Sequence, residues 1–135
     1  MKSKIQELII KEFNSLLDWD EKYEEIIRIG RHMETLPNKF KTEENRVFGC
    51  QSRVWISAEL NNNKLKLQAD SDSMLVRGLV ALVLRVYQGK TPQQIIDENI
   101  YFITSIGFQN HLTPSRVNGV YEVVKKIKSF AVANN

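Results

Sequence analysis

Cysteine is nearly absent from this chain of 135 residues, which carries a single thiol at Cys50. One cysteine excludes an intramolecular disulfide, and it excludes cysteine-rich zinc or iron–sulfur ligation within one chain. A free thiol fits a reducing compartment. Long hydrophobic runs are missing as well. The longest apolar stretch, Met74 to Tyr87, is interrupted by Arg77 and Arg85 and is too short to span a bilayer. The start, Met1-Lys2-Ser3-Lys4, leads into charged periodic sequence rather than an apolar leader, so no signal peptide is expected. Nor does charge of one sign dominate, since 19 basic and 16 acidic residues leave a net charge of +3. The basic residues gather only at Lys125, Lys126 and Lys128, which read as a solvated helix face. The expectation is a soluble cytoplasmic protein with neither nucleic acid nor membrane as its partner.

What is present is ordinary globular material. Hydrophobic residues at 42% and charged residues at 26% exclude disorder for the bulk of the chain. The length predicts one domain, residues 1–135, with a core large enough to need no metal or disulfide staple.

Ser3 with Gln6 reads as a capping box opening a helix whose apolar positions are Ile5, Leu8, Ile9, Phe13, Leu16 and Leu17. Asp18 with Glu21 signals a second helix, with Tyr23, Ile26, Ile27 and Met33 on one face and Pro37 as its stop. A polar stretch, 38–46, reads as a loop. From Val54 the period changes to two. Val54, Ile56, Ala58 and Leu60 alternate with Trp55, Ser57 and Glu59, Asn61-Asn62-Asn63 turns the chain, and Leu65, Leu67 and Ala69 alternate in reply. Asparagine tolerates the left-handed conformation of tight turns, so this is a hairpin. A third strand is expected near Val47. Ser71 or Ser73 can cap the next helix, which is apolar nearly all round and therefore central, and which stops at Gly89. Thr91-Pro92-Gln93-Gln94 and Thr113-Pro114 each combine a cap with an early proline, opening a short helix and the final helix. The fold class is α+β: a small antiparallel sheet of two to three strands flanked by helices.

Cys50 lies in Val47-Phe48-Gly49-Cys50-Gln51-Ser52-Arg53, just before the first clear strand. A lone cysteine is commonly a small core hydrophobe. Here Gly49 permits a sharp turn and Gln51 and Ser52 are polar, which equally fits a reactive loop thiol. A thiol hydrolase needs a histidine base, and the histidines, His32 and His111, lie in other segments. A Cys50–His111 pair and a docking module with an inert Cys50 therefore both stay open.

The run Phe48-Gly49-Cys50-Gln51-Ser52-Arg53-Val54-Trp55-Ile56 resembles the active-site segment of the SufE family, sulfur acceptors of iron–sulfur cluster biogenesis. Further blocks match in order: Ala69-Asp70-Ser71-Asp72-Ser73 with Arg77-Gly78-Leu79, Tyr87-Gln88-Gly89-Lys90-Thr91-Pro92, and His111-Leu112-Thr113-Pro114-Ser115-Arg116-Val117-Asn118-Gly119. Phe48 stands where many members have proline, and Ala69 where they commonly have glycine. The resemblance implies a SufE/IscU-like fold. It implies that Cys50 takes sulfane sulfur as a persulfide from a SufS-type cysteine desulfurase, stimulating that enzyme, and passes it to a SufB-containing scaffold. The pyridoxal phosphate belongs to the desulfurase; this chain would need no cofactor or metal and would not itself be an enzyme. IscU-type scaffolds hold clusters through several cysteines, so a single thiol suits a carrier.

Charge help for the thiolate can come from Arg53, from N–H groups near Gly49, or from Arg116. Gly49, Gln51, Ser52, Arg53, Asp72, His111 and Arg116 are the residues expected to support the loop or meet the partner. Gly49 is the expected hinge. Asp70 and Asp72 read as helix N-terminal charges, and by resemblance Asp72 lies near the cysteine loop with Arg116 as a pairing partner for such a carboxylate. Phe48, Trp55 and the apolar helix are expected to build the pocket that shelters the persulfide.

Overall fold

The sheet is organised by its turn. In the computed structural model, which describes residues 2–135 and so leaves Met1 outside, β1 (Val54–Asn61) and β2 (Lys64–Ser71) pair antiparallel from Val54↔Ser71 to Asn61↔Lys64. Asn62 and Asn63 hold φ of 51° and 65°, the left-handed pair that a two-residue hairpin loop requires. Val54, Ile56, Leu65, Leu67 and Ala69 fill the buried face, as their alternation predicts. The third strand shrinks to one bridge, Arg46↔Trp55, supported by bonds from Val47 N–H to Val54 and from Ile56 N–H to Asn45. Beyond Val47 the chain turns away at Gly49, whose φ is 90°.

Among the described residues six α-helices cover this hairpin, giving the expected α+β architecture: α1 (Lys4–Asn14), α2 (Trp19–His32), α3 (Met74–Tyr87), α4 (Pro92–Asp97), α5 (Phe102–Ile106) and α6 (Pro114–Ala133). Ser73, not Ser71, caps α3 by accepting from Val76 N–H, and α3 packs on β2, α2 and α6. Gly78 is pressed against α2: a Cβ there would lie 1.9 Å from the Ile26 carbonyl oxygen, and one on Gly30 would lie 2.3 Å from that of Met74. The two helices therefore cross at backbone contact. The caps at Thr91 and Thr113 form as expected, the first as a complete capping box with Gln94.

Two polar groups take roles that local sequence does not announce. Ser3 caps α1, but the Gln6 side chain does not return to close the box. It is fully buried, donates to Glu98 and to the Asn99 carbonyl, and its oxygen accepts from Tyr101 and Phe102 N–H. Gln6 thereby caps α5, whose own N-cap residue Tyr101 supplies no side-chain bond. Asp70 is not a helix-terminal charge. It sits inside β2, 2% exposed, and its carboxylate takes the buried guanidinium of Arg77, the Leu36 and Ser71 N–H groups and, at 3.4 Å, the Lys41 ammonium. Arg77 also donates to the Gly30 and Met33 carbonyls, so the pair ties α2, the following loop, β2 and α3 together. Paired charges with all these hydrogen bonds are what allows such groups inside.

Candidate functional site

The cysteine loop is anchored at both ends and loosely held between them. Before it, Val47 is bound to Val54. After it, Arg53 is stitched to Asp72: the Arg53 N–H donates to Asp72 Oδ1 at 3.1 Å, the Asp72 N–H donates to the Arg53 carbonyl at 3.3 Å, and the side chains pair at 3.8 Å. Residues 48–52 span the gap, with Gly49 in the left-handed region that a side chain would strain. Gly49 thus sits at the turn into the loop, and Asp72 is bonded to Arg53 at its far end.

Cys50 points inward rather than outward. Its thiol donates weakly to the Gly119 carbonyl, 3.6 Å away, and a Cβ on Gly119 would come within 3.3 Å of the sulfur. Gly119 is therefore the seat, and a side chain there would make the sulfur give by a few tenths of an ångström. Beside the sulfur lies a cavity of about 20 Å³, walled by Gln51 and Ser52 of the loop, Val76, Leu79 and Val80 of α3, and Arg116 and Val120 of α6. A space of that size holds roughly one water-sized atom.

Most of the cavity's lining is apolar, and its polar residues are Gln51, Ser52, Ser115 and Arg116. Nη1 of Arg116 is buried and has no hydrogen-bond partner among the described residues. Arg116 therefore does reach the thiol's surroundings, but the expected pairing with Asp72 is replaced by the Arg53–Asp72 contact. Burial pushes the Cys50 thiol above its ordinary range, and the Glu122 carboxylate pushes it the same way. The resting cysteine is thus a neutral thiol, not an activated thiolate.

The other expected residues lie apart. His111 stacks its ring on Trp19 at 3.8 Å, its carbonyl accepts the Tyr23 hydroxyl, and it does not line the cavity. Phe48 and Trp55 do not line it either. Phe48 is 60% exposed beneath the Arg46 guanidinium, and Trp55 lies under the Lys41 ammonium, so the shelter is built by α3 and α6 instead. Sequence reasoning missed Gly119 and Glu122 as neighbours of the thiol. The signal was present in the spacing, because Arg116, Gly119 and Glu122 recur at one helical turn and share a face of α6. Among the described residues no group of three His, Cys, Asp or Glu side chains converges as a metal site, and no helix is long and apolar enough to cross a membrane.

Residues 7–131 match the family model described as "SufE: Fe-S metabolism associated domain". An uncharacterized SufE-like protein of Synechocystis sp. is 38% identical over 125 residues, which cover 93% of this chain and 79% of that protein. The fold is similar to the solution structure of a hypothetical protein from Thermus thermophilus, with a TM-score of 0.81 over 99% of this chain and 98% of that one. At 17% identity, that last likeness speaks to fold alone.

Proposed function

This chain belongs to the SufE family and has a role in Fe–S metabolism, and on that premise we propose that Cys50 is a sulfur acceptor that takes a persulfide from a SufS-type cysteine desulfurase. The observation that carries this reading is the seat of the thiol. A lone cysteine on a loop hinged at Gly49 is tucked beside an apolar cavity with room for about one further atom. A sulfur atom is only slightly larger than a water. The cavity thus suits a cysteine that leaves its seat empty-handed and returns carrying one more sulfur.

The chemistry is thiol–disulfide exchange with a persulfide as the donor. The Cys50 thiolate attacks the outer sulfur of the donor persulfide. The donor's S–S bond breaks, its cysteine leaves as a thiolate, and the new S–S bond stands on Cys50. There is no net oxidation, and the proton lost by Cys50 balances the one gained by the donor thiolate. A persulfide is more acidic than a thiol, so the loaded form is an anion near neutral pH. Arg116, which walls the cavity and has a buried Nη1 without a partner among the described residues, is the cation assigned in this reading to meet it on return. The desulfurase supplies pyridoxal phosphate; this chain contributes the acceptor, stimulates its donor by clearing it, and passes the sulfur to a SufB-containing scaffold.

A Cys50–His111 hydrolase would need the imidazole at the thiol, and His111 is engaged with Trp19 instead. The deciding experiment is incubation with a cysteine desulfurase and free cysteine, followed by intact-mass measurement. The expected result is a gain of one sulfur, removed by reductant and absent when Cys50 is alkylated beforehand. A protein whose mass never changes, with a desulfurase that is turning over, overturns the reading.

A further inference from the structure

A thiol that serves another protein needs neighbours that hold that protein, and one flank of the cysteine loop has the make-up for it. Phe48, two residues before Cys50, leaves 60% of its surface in solvent, with the Arg46 guanidinium 5.5 Å from its ring. Between this aromatic and α6 runs a groove of about 250 Å³. Arg46, Val47 and Phe48 line one side of it, and Glu122, Lys125 and Lys126 of α6 line the other. Glu122 also touches the loop, its Cγ 3.2 Å from where a side chain on Gly49 would begin. The groove is therefore continuous with the turn that carries the thiol.

Its lining holds three cations against one carboxylate, and that carboxylate already meets Lys125 at 3.4 Å. Glu43 stands 4.0 Å from Arg46 and is 81% exposed, which makes a weak pair. Arg46 Nε is buried with no hydrogen-bond partner among the described residues. Lys126 gives its ammonium to the Glu44 carbonyl, a dipole rather than a counter-charge, and Lys125 keeps 73% of its side chain in solvent. The groove is positive, one of its donors is unsatisfied, and an exposed aromatic stands at its lip. Aromatic and arginine side chains are the groups that anchor protein interfaces. The Lys125-Lys126 run, which the sequence alone reads as a solvated face, gains a use here.

We propose that the groove between Phe48 and α6 is the dock for an acidic segment of the sulfur-donating desulfurase. An Asp or Glu side chain of that segment enters among Arg46, Lys125 and Lys126, and an apolar side chain beside it closes over Phe48. The inference rests on the sulfur-acceptor reading for the identity of the partner and adds where that partner is held. Three cations around one short groove suit a carboxylate, whereas a nucleic-acid backbone needs basic residues spread along a stripe. Position argues the same way, because the groove adjoins a thiol that must come within bonding distance of another protein's sulfur. Phe48 supplies area that is buried on docking, and the cations supply steering and register. Affinity is thereby separated from the reacting atom.

The test is the affinity of the full chain for a cognate SufS-type desulfurase, with association and dissociation rates, for wild type, Phe48→Ala, Lys125→Gln and Lys125→Glu. Lys64→Glu is the control, a charge reversal at the hairpin turn, the end of the sheet away from Cys50. Phe48→Ala should raise Kd about tenfold, chiefly through faster dissociation. Lys125→Gln should slow association several-fold at low salt and Lys125→Glu should slow it further, and both should flatten the fall of affinity with added salt. Lys64→Glu should bind like wild type. Wild-type affinity in either Phe48→Ala or Lys125→Glu overturns the proposal, as does an equal loss in Lys64→Glu, which reports overall charge alone. Weakened binding with faster iodoacetamide alkylation of Cys50 in the free variants also overturns it, because that reports a disturbed loop. A short single-stranded RNA that binds at the same salt, and whose binding falls with Lys125→Glu while desulfurase binding does not, overturns it in favour of nucleic acid. Sulfur loading of the wild type is measured alongside by intact mass. Normal loading with a Kd that ignores these changes removes the dock and leaves the function proposed above standing. A Kd that responds as expected in a wild type that gains no sulfur does the reverse, and a wild type that neither binds nor loads removes both.

Discussion

At the scale of single residues, Cys50 is kept in place by one weak S–H bond and by the fit of its sulfur over Gly119. Cys50→Ser keeps both, since serine is nearly the same size and its hydroxyl can also donate to the Gly119 carbonyl. The variant should bind the desulfurase with affinity close to wild type, because contact energy is spread over an interface. It should gain no sulfur and leave turnover at its basal rate, since a hydroxyl is far too weakly acidic to form the bond. Full stimulation by the serine variant, measured as alanine or sulfide release, would show that docking alone suffices and would end the carrier reading. Gly119→Ala is the complementary change. The added methyl would stand 3.3 Å from the sulfur and 3.7 Å from Cys50 Cβ, so the loop must give. Cys50 should then be alkylated faster than in wild type at the same pH, while far-UV circular dichroism stays the same. Unaltered alkylation would mean that the loop does not rest on Gly119 in solution.

At the scale of elements, much was legible and the omissions share one cause. Helix caps at Ser3, Asp18, Ser73, Thr91 and Thr113 are short-range devices, each accepting from the N–H three residues on, and the sequence placed all of them but that of α3, which it left between Ser71 and Ser73. The hairpin and its buried face follow from a period of two with an asparagine turn. What escaped were elements defined by remote partners. The helix α5 has five residues, too few for a periodic signal, and its terminal N–H groups are capped by Gln6, which lies 95 residues away from Tyr101 in sequence. Asp70 read as a helix N-terminal charge and Arg77 only as an interruption of the apolar stretch, because nothing local reveals that β2 and α3 face each other there. The α1 pattern misled in the other direction: Ile9 and Phe13 are buried, but Leu17 lies beyond the helix and is 84% exposed. The cysteine loop was found by motif, while its seat on α6 depended on a fold that only the whole chain determines. Gln6→Leu tests the remote cap. It leaves the Tyr101 and Phe102 N–H groups without an acceptor, and an unsatisfied buried donor costs about 2 kcal/mol. The variant should lose roughly 5–10 °C in Tm, with Cys50 alkylation unaffected because α1 and α5 are absent from the cavity wall. A Tm equal to wild type would reduce Gln6 to packing alone.

At the scale of the whole molecule, the expectation is catalytic traffic on a partner. Adding the protein to a cognate cysteine desulfurase should raise its turnover in a saturable way, since removing the persulfide frees the donor for another cycle. Sulfide release that stays flat across the full concentration range would argue that no transfer takes place. Such a delivery also poses a mechanical problem, and the crossing of α2 and α3 meets it. Where Gly30 and Gly78 bring two backbones into contact, and Arg77 clamps them through the Gly30 and Met33 carbonyls, the helices have no room to slide or rock against each other. Were a partner to draw residues 48–52 outward, as the proposed sulfur acceptor requires, the pull would pass to the Arg53–Asp72 stitch and so to the head of α3. That head is fixed to α2, so the strain has nowhere to dissipate except in the loop itself. The chain works like an arm bolted to a bench: the stiffness of the bench makes the reach of the hand reproducible from one delivery to the next.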